Sequence, residues 1–386
     1  MRMIKTAVIG TGFMGRTHVE ALRRVAGVEV VAIADITQEG AQALADLYAI
    51  PKAFGDWRKI LELPEVEVVH NTTPNNLHYE INKAILEAGK HCVSEKPLTK
   101  TSEESAELVK LAEQKGLVGA INFNYRFYPL IQHAKGMVER GELGEIVNVH
   151  GHYIQDWLLY QTDYNWRIDS EVSGASRCVA DIGSHWCDLT QFITGLKIES
   201  LIADTFRVWE TRKKPRKEFE SFKGKEEGYE GDYDEVPIDT EDGANVLIKF
   251  NNGARGAFTV SQVSAGRKNH EWFEIDGTKA AIAWNQERPN ELWVGYRDKP
   301  NEIIIKDPAL LDNDARTYAH YPGGHPEGYP DGPKNNFRNI YRYIRDGKKW
   351  GQDKPDFPTF ADGYFEVKMV EAVLESAKKG EWVKIK

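Results

Sequence analysis

The chain has 386 residues, of which 41% are hydrophobic and 28% charged, and its net charge is −9. This is the composition of an ordinary soluble globular protein, long enough for about two domains of roughly 150 residues, and its negative balance argues against non-specific nucleic-acid or anionic-membrane binding, which needs a basic field. No apolar run approaches the ~18–20 residues that span a bilayer, and the cysteines (Cys92, Cys178, Cys187) imply no disulfide framework, so a soluble cytoplasmic protein is expected.

The N-terminal run Thr6 to Ile9 meets glycines at once and reads as a first strand rather than a signal peptide. Further β-branched runs follow at Val28 to Ala34, Val66 to His70, His91 to Ser94 and Val118 to Ile121. Helix-period segments lie between them: Thr17 to Val25, Glu39 to Tyr48, His78 to Glu87 and Ser102 to Gln114. The last opens with Thr101-Ser102-Glu103-Glu104, a capping hydroxyl with early acids, and closes at Gly116. Strands alternating with helices predict βαβ units and a parallel sheet, an α/β fold.

After about residue 125 the rhythm changes. A helix at Leu130 to Arg140 precedes strands at Glu145 to Ile154, Ile198 to Val208, Ala244 to Phe250, Ala254 to Val263, Glu271 to Ile275, Ala280 to Trp284, Glu291 to Gly295 and Glu302 to Lys306. Asn252-Gly253 and Asp276-Gly277 read as hairpin turns in which glycine supplies a positive φ. Thr359 to Ala377 is helical again. This half is α+β, with an open, mainly antiparallel sheet. The domains expected are 1–124 and 125–386, with the helix 359–377 able to pack back on the first. Residues 211–240 carry a basic run (Arg212, Lys213, Lys214, Arg216, Lys217), then an acidic one (Glu226, Glu227, Glu230, Asp232, Asp234, Glu235). They read as a solvated excursion pinned by Phe219, Phe222, Tyr229 and Tyr233, the alternative being a partner-binding arm.

Gly10-Thr11-Gly12-Phe13-Met14-Gly15 is a G-x-G-x-x-G between a predicted strand and a predicted helix, the context in which glycines admit a dinucleotide pyrophosphate to a helix N-terminus. Asp35, twenty residues after Gly15, ends the second strand, where a carboxylate can bind the adenosine ribose hydroxyls. It would repel a 2′-phosphate, and no arginine follows it directly, so NAD is favoured over NADP. Glu95-Lys96-Pro97 follows the strand His91 to Ser94 and projects a lysine at the carboxyl edge of the sheet, unless Lys96 is an ordinary surface lysine. In Ala180 to Asp188, helical spacing puts Asp181, His185 and Asp188 on one face, a carboxylate–imidazole pair suited to general-base work or to a structural role. A metal site from Cys178, Asp181, His185 and Cys187 is disfavoured because Cys187 points about 200° away from His185 on a helix.

These motifs together resemble the Gfo/Idh/MocA oxidoreductases, the family of glucose–fructose oxidoreductase and inositol dehydrogenase, over essentially the whole chain. The resemblance also rests on Thr73-Pro74-Asn75-Asn76-Leu77-His78, Asn124-Tyr125-Arg126-Phe127-Tyr128-Pro129 and Phe360-Ala361-Asp362-Gly363. Gln155-Asp156-Trp157-Leu158-Leu159, Asn165-Trp166-Arg167 and Gly324-His325-Pro326-Glu327-Gly328-Tyr329 look like the sugar and pyranoside dehydrogenases, levoglucosan dehydrogenase among them. The resemblance implies an N-terminal Rossmann domain, and a C-terminal sheet whose face is often buried between subunits, hence a homo-oligomer, dimer or tetramer. It implies a small-molecule sugar or cyclitol substrate.

It assigns Lys96 to the substrate hydroxyl and nicotinamide ribose, His185 to proton transfer, and Asp181 to orienting both. Gly10, Gly12, Phe13, Met14, Gly15 and Asp35 would hold the adenosine and pyrophosphate. Thr73, Asn75, His78, Glu95, Lys96 and Asn124 would line the nicotinamide half, with Trp166 and Arg167 at its edge. Tyr128, Gln155, Trp157, His325 and Tyr329 are substrate-side candidates, with a structural loop crossing as the alternative for His325 and Tyr329. The same residues would serve a sugar–sugar transhydrogenase or a redox-assisted glycoside cleavage with retained cofactor. A non-catalytic NAD(P) sensor has no need for Lys96, Asp181 and His185 together.

Overall fold

The computed structural model describes residues 2–216 and 232–385. The chain divides into two compact units, Met1–Tyr128 with Glu327–Val367, and Pro129–Pro326 with Lys368–Lys386. Residues 327–367, expected in the second domain, cluster with the first unit. Of the charged segment, Lys217, Phe219, Phe222, Glu226, Glu227, Tyr229 and Glu230 lie outside the described residues.

The first unit holds six strands, β1 (Ile4–Ile9), β2 (Val28–Ala34), β3 (Lys52–Phe54), β4 (Val68–Asn71), β5 (His91–Ser94) and β6 (Gly119–Ile121), all parallel in the order 3-2-1-4-5-6. The order reverses between β1 and β4, which opens a crevice at the carboxyl ends of the strands, where such sheets bind ligands. Both faces are covered by helices, so the strands read as continuous apolar runs. The helix Ser102–Lys115 starts where Thr101 Oγ1 accepts from Glu104 N and stops at Gly116, φ 64°. Helix Asp331–Arg345 belongs to this unit: Tyr341 OH bonds Thr6 Oγ1 at 2.7 Å and Arg345 reaches Ala26 O at 2.7 Å.

The second unit carries a nine-stranded sheet in the order β16-β15-β14-β13-β7-β12-β11-β8-β17. Its strands are β7 (Ile146–Ile154), β8 (Ile198–Phe206), β11 (Gly243–Phe250), β12 (Arg255–Ser261), β13 (His270–Gly277), β14 (Ala281–Asn285), β15 (Glu291–Gly295), β16 (Glu302–Ile305) and β17 (Val383–Lys384); β9 (Thr211–Pro215) and β10 (Tyr233–Pro237) form a separate hairpin. Every pairing in the large sheet is antiparallel except β7 with β12. The Asn252-Gly253 turn has Gly253 at φ 92°, as the hairpin requires. Gly277 has no positive φ; it is needed instead because a Cβ there would lie 2.0 Å from Leu143 O.

Helix Ser184–Thr194 covers one face of this sheet and is tied to it by Trp186 Nε1 donating to Trp272 O at 3.1 Å. On the other face a row runs in register across the sheet, Leu247, Ala257, His150, Glu274, Ala283, Trp293 and Ile303. Leu247 is 53% and Ile303 61% exposed. His150, Glu274 and Asp276 on this face form a group with metal-ligand spacing that the sequence reading did not single out. No helix among the described residues is long and apolar enough to cross a membrane.

Candidate active site

The cofactor half is built on the first unit. Helix Phe13–Arg23 begins just after β1, with Gly10 at φ 101° and Gly15 so close to it that a Cβ would lie 2.1 Å from Gly10 O. A Cβ on Gly12 would meet no protein atom within 4 Å, and the helix N-terminus has neither a side-chain cap nor an acid in its first turn. Its unsatisfied N–H groups make an open anion cradle. Thr11 Oγ1 donates to Asp35 Oδ2, and Ile36 N to Oδ1 at 2.8 Å, fixing the carboxylate at the tip of β2. Asn124, 3% exposed, has an Nδ2 with no acceptor among the described residues. An open glycine cradle, an uncapped helix, a fixed carboxylate and an orphaned amide donor fit a dinucleotide.

Tyr329 packs against this cradle, its ring 6.3 Å from Phe13 and its OH 3.5 Å from Met14 Sδ, so within its unit it sits with the cofactor residues. Tyr128 is buried 5.9 Å from the Tyr125 ring. His78, expected to line the cofactor, turns both ring nitrogens to backbone carbonyls: Nδ1 lies 2.6 Å from Pro97 O and Nε2 2.8 Å from Thr73 O. Burial pushes its pKa down, while the two carbonyls, each of which asks for an N–H, pull it up; the ring stands between the Thr73–Asn75 and Lys96–Pro97 loops. Thr73 in turn bonds Asn71 Oδ1 through its hydroxyl at 2.7 Å. Asn75 opens the short 3-10 turn Asn75–Leu77.

Lys96 follows β5, and its peptide to Pro97 is cis. Beside it, Glu95 Oε1 is 2.8 Å from His18 Nε2 and accepts from Asn122 Nδ2 at 2.7 Å. Burial pushes the Glu95 carboxyl up, but the His18 bond and charge, Asn122 and the Lys96 charge outweigh it and hold it below the ordinary value. From His18 a buried chain continues through His70 Nδ1 (2.9 Å), Tyr341 OH (2.9 Å from His70 Nε2) and Thr6 Oγ1, which donates to Val68 O at 2.9 Å. Because each hydroxyl passes its proton toward Val68 O, His70 Nε2 donates and its Nδ1 accepts from His18. His18, His70, Asn122 and Tyr341 escaped the sequence reading, since they touch Glu95 directly or through one another only in the fold.

The acid–base half is built on the second unit. Asp181 lies in a π-helical turn, Val179–Gly183, that runs into the helix Ser184–Thr194, so the regular α-helical spacing expected for Asp181, His185 and Asp188 holds only from residue 184 onward. Asp181 Oδ2 accepts from Gln262 Nε2 at 2.9 Å, and Oδ1 is 3.6 Å from Arg167 Nε. His185 is buried, with the Tyr153 ring 6.2 Å away. Arg167 stacks on Trp166, 4.3 Å from its ring, and Asn165 caps the turn by accepting from Arg167 N at 3.1 Å. The Arg167 guanidinium thus stands beside Asp181. Cys178 and Cys187 are buried thiols, and burial pushes Cys178 well above the usual range.

Trp157 Nε1 donates to Gln155 Oε1 at 2.9 Å, and Gln155 Nε2 to Asn269 Oδ1 at 2.7 Å; Tyr153 OH donates to the same oxygen at 2.6 Å. Asn269, not foreseen, is therefore the hub that fixes two substrate-side candidates. His325 is exposed. Its ring reaches only Gly323 O among the described contacts, at 3.4 Å, while Lys306 Nζ captures its carbonyl at 2.7 Å; these contacts are those of a loop crossing.

A dinucleotide cradle at the reversal point of a parallel sheet, in a chain that also carries Asp181 and the buried His185 four residues apart on a separate sheet unit, fits a nucleotide-dependent oxidoreductase. The chain belongs to the Gfo/Idh/MocA oxidoreductase family: residues 4–123 match its NAD-binding Rossmann fold and residues 131–283 its C-terminal domain. It is 30% identical to levoglucosan dehydrogenase of Pseudarthrobacter phenanthrenivorans, over 100% of this chain and 99% of the relative. A levoglucosan dehydrogenase structure in complex with NADH and L-sorbose is similar with a TM-score of 0.88 at 29% identity, covering 100% of both chains. An inositol dehydrogenase homologue from Azotobacter vinelandii complexed with NAD⁺ gives a TM-score of 0.84 at 25% identity, covering 99% of this chain and 97% of that one.

Proposed function

We propose that the protein is an NAD-dependent dehydrogenase that moves a hydride between a secondary alcohol of a sugar, pyranoside, anhydrosugar or cyclitol and the nicotinamide C4. The observation that carries this reading is Asp181, held as an acceptor by Gln262 beside Arg167, four residues before the buried His185. That is an acid–base unit a cofactor sensor would not need. Bound in the cradle, NAD⁺ supplies the hydride acceptor. His185 takes the hydroxyl proton at a ring nitrogen and Asp181 stabilises the imidazolium that results. The Lys96 ammonium lowers the energy of the developing alkoxide. Trp157 offers a stacking face to the sugar C–H groups, with Gln155 beside it; the burial of Tyr128 leaves that stacking to Trp157.

The ligands in the relatives' complexes, NADH with L-sorbose for one and NAD⁺ for the other, support the substrate class and the cofactor. The apolar groups on the open sheet face support a homo-oligomer, and the free cysteines suit a cytoplasmic enzyme. The test follows nicotinamide absorbance with NAD⁺ and, separately, NADP⁺, across cyclitols, free pyranoses, anhydrosugars and glycosides. Sustained reduction of NAD⁺ by one subset is expected and names the substrate class. A single stoichiometric burst would replace this reading with retained-cofactor transhydrogenation or glycoside cleavage. Binding without any reduction would replace it with a sensor.

A further inference from the structure

We propose that the hairpin β9–β10 serves the acid–base site: its Arg212, through a buried chain Arg212–Asp242–Arg177–Gln262, is a positioning residue that orients the hydrogen-bond donor held against Asp181. The inference rests on Asp181 belonging to the acid–base machinery. Arg212 and Arg177 are both fully buried, and both donate to Asp242 Oδ1, Arg212 Nη2 at 2.7 Å. Asp242 Oδ2 accepts from Val208 N at 2.7 Å, so the carboxylate is fixed from both sides. Arg177 also reaches Thr240 Oγ1 with Nε at 3.2 Å and Gln262 Oε1 with Nη1 at 3.2 Å.

The polarity of the last link follows from donor inventory. A guanidinium can only donate, so the Gln262 oxygen must face Arg177. The Gln262 amide nitrogen then has to point the other way, and it does, donating to Asp181 Oδ2 at 2.9 Å. A flipped amide would set NH₂ against guanidinium at one end and oxygen against carboxylate at the other. The backbone shares the task, since Gln262 N donates to Asp242 O at 3.0 Å.

Arg212 has a second hold. Its Nη1 donates to Leu158 O at 2.9 Å, Tyr160 O at 3.0 Å and Asp163 O at 3.2 Å, gathering the loop between Trp157 and the Asn165–Arg167 turn. Val236 of β10 packs with Trp157 and Tyr164 against Leu158, Ile168 and Ile238. The hairpin at the base of the charged segment is therefore a brace for the loops that carry Trp157, Trp166 and Arg167.

The test reads Asp181 itself. Of the ionisable groups in this unit, Arg167 stands 3.6 Å from Asp181 Oδ1, the Cys178 thiol feels the Asp181 charge together with those of Glu241, Arg177 and Asp242, and His185 lies four residues on in the sequence. In whole protein labelled with ¹³Cγ-aspartate, the Asp181 signal is assigned by its loss in Asp181→Asn and titrated in the wild type, Gln262→Leu, Gln262→Glu and Arg212→Met. Both Gln262 variants remove the donor, so the Asp181 titration is expected to move up by about one pH unit or more. Gln262→Glu gives Arg177 a carboxylate partner, so a purely structural tie predicts unchanged or higher Tm and normal turnover. The chain proposed here predicts that Tm together with turnover lowered at least about tenfold, and an acid limb of the kcat/KM profile shifted up with Asp181. Arg212→Met should move the titration the same way. An Asp181 titration unmoved in both Gln262 variants overturns the inference, and so does one that the Gln262 variants shift but a folded Arg212→Met leaves at the wild-type value. The titration needs no substrate, so a wild type inert on every sugar refutes the dehydrogenase reading without masking this outcome.

Discussion

Lys96 takes its position from β5, whose end delivers it next to a carboxylate already committed to His18 and Asn122. Lys96→Ala should still bind NAD by calorimetry and lose about 10²–10³-fold in turnover, the usual scale for removing one stabiliser of developing charge. Full turnover would remove Lys96 from the mechanism. Glu271 poses a different problem. It is 0% exposed, and neither carboxylate oxygen has a hydrogen-bond partner among the described residues. Burial, then the charge of Asp188, push its pKa well above the ordinary value. A folded-state pKa raised in this way stabilises the fold below the unfolded value near 4.5, and that contribution is lost as pH rises toward the folded value. Glu271→Gln is expected to match the wild type in Tm at pH 4.5 and to exceed it by several degrees at pH 8; equal Tm at both would show that Glu271 is ionised or partnered in the fold. The glycine fingerprint, Asp35 and Lys96 were legible because their meaning lies in local spacing. Gln262 and His18 were not, since their partners Asp181 and Glu95 lie far off in the sequence.

Among elements, those with strong periodicity and end signals were read nearly to the residue: β2, β5 and β15 have the expected limits, and Thr101 caps its helix as its sequence implied. Two kinds were lost. β3 is a short edge strand of intermediate burial, with too few β-branched residues to stand out. The helix Asp331–Arg345 had no expectation in the sequence, where Pro333 and the pair Asn335-Asn336 are poor helix formers. Yet Pro333 falls in the first turn, where it costs no hydrogen bond, and both asparagines are buried with carbonyl partners, Asn335 to Phe127 O at 3.2 Å and Asn336 to Ile121 O at 3.4 Å. The parallel pairing of β7 with β12 was equally invisible, because a run of hairpins suggests neighbours in sequence order. A strand's partner is a tertiary choice, and β7 instead lies between β12 and β13.

At the scale of the molecule, the second unit leaves a sheet face with Leu247, Trp293 and Ile303 in one register row, more apolar than a solvated strand face needs to be. If copies associate through it, Leu247→Glu with Ile303→Glu should lower the mass measured by light scattering to that of the 43.8 kDa chain while leaving NAD binding intact; an unchanged mass would exclude this face from the interface. The first unit has its own global property, which is the order in which its parts exist. Its chain leaves at Tyr128 and returns only at Glu327, yet Thr6 and His70 are completed by Tyr341, and Phe13 is met by the Tyr329 ring. At ribosomal speeds of about 5–20 residues per second, roughly two hundred residues separate the emergence of the nucleotide fold from that of its missing helix, a delay of about 10–40 s. During that interval Thr6 has Val68 O and His70 has His18, but His70 Nε2 on β4 waits for Tyr341, so the buried chain of this half is closed last although its strands are made first.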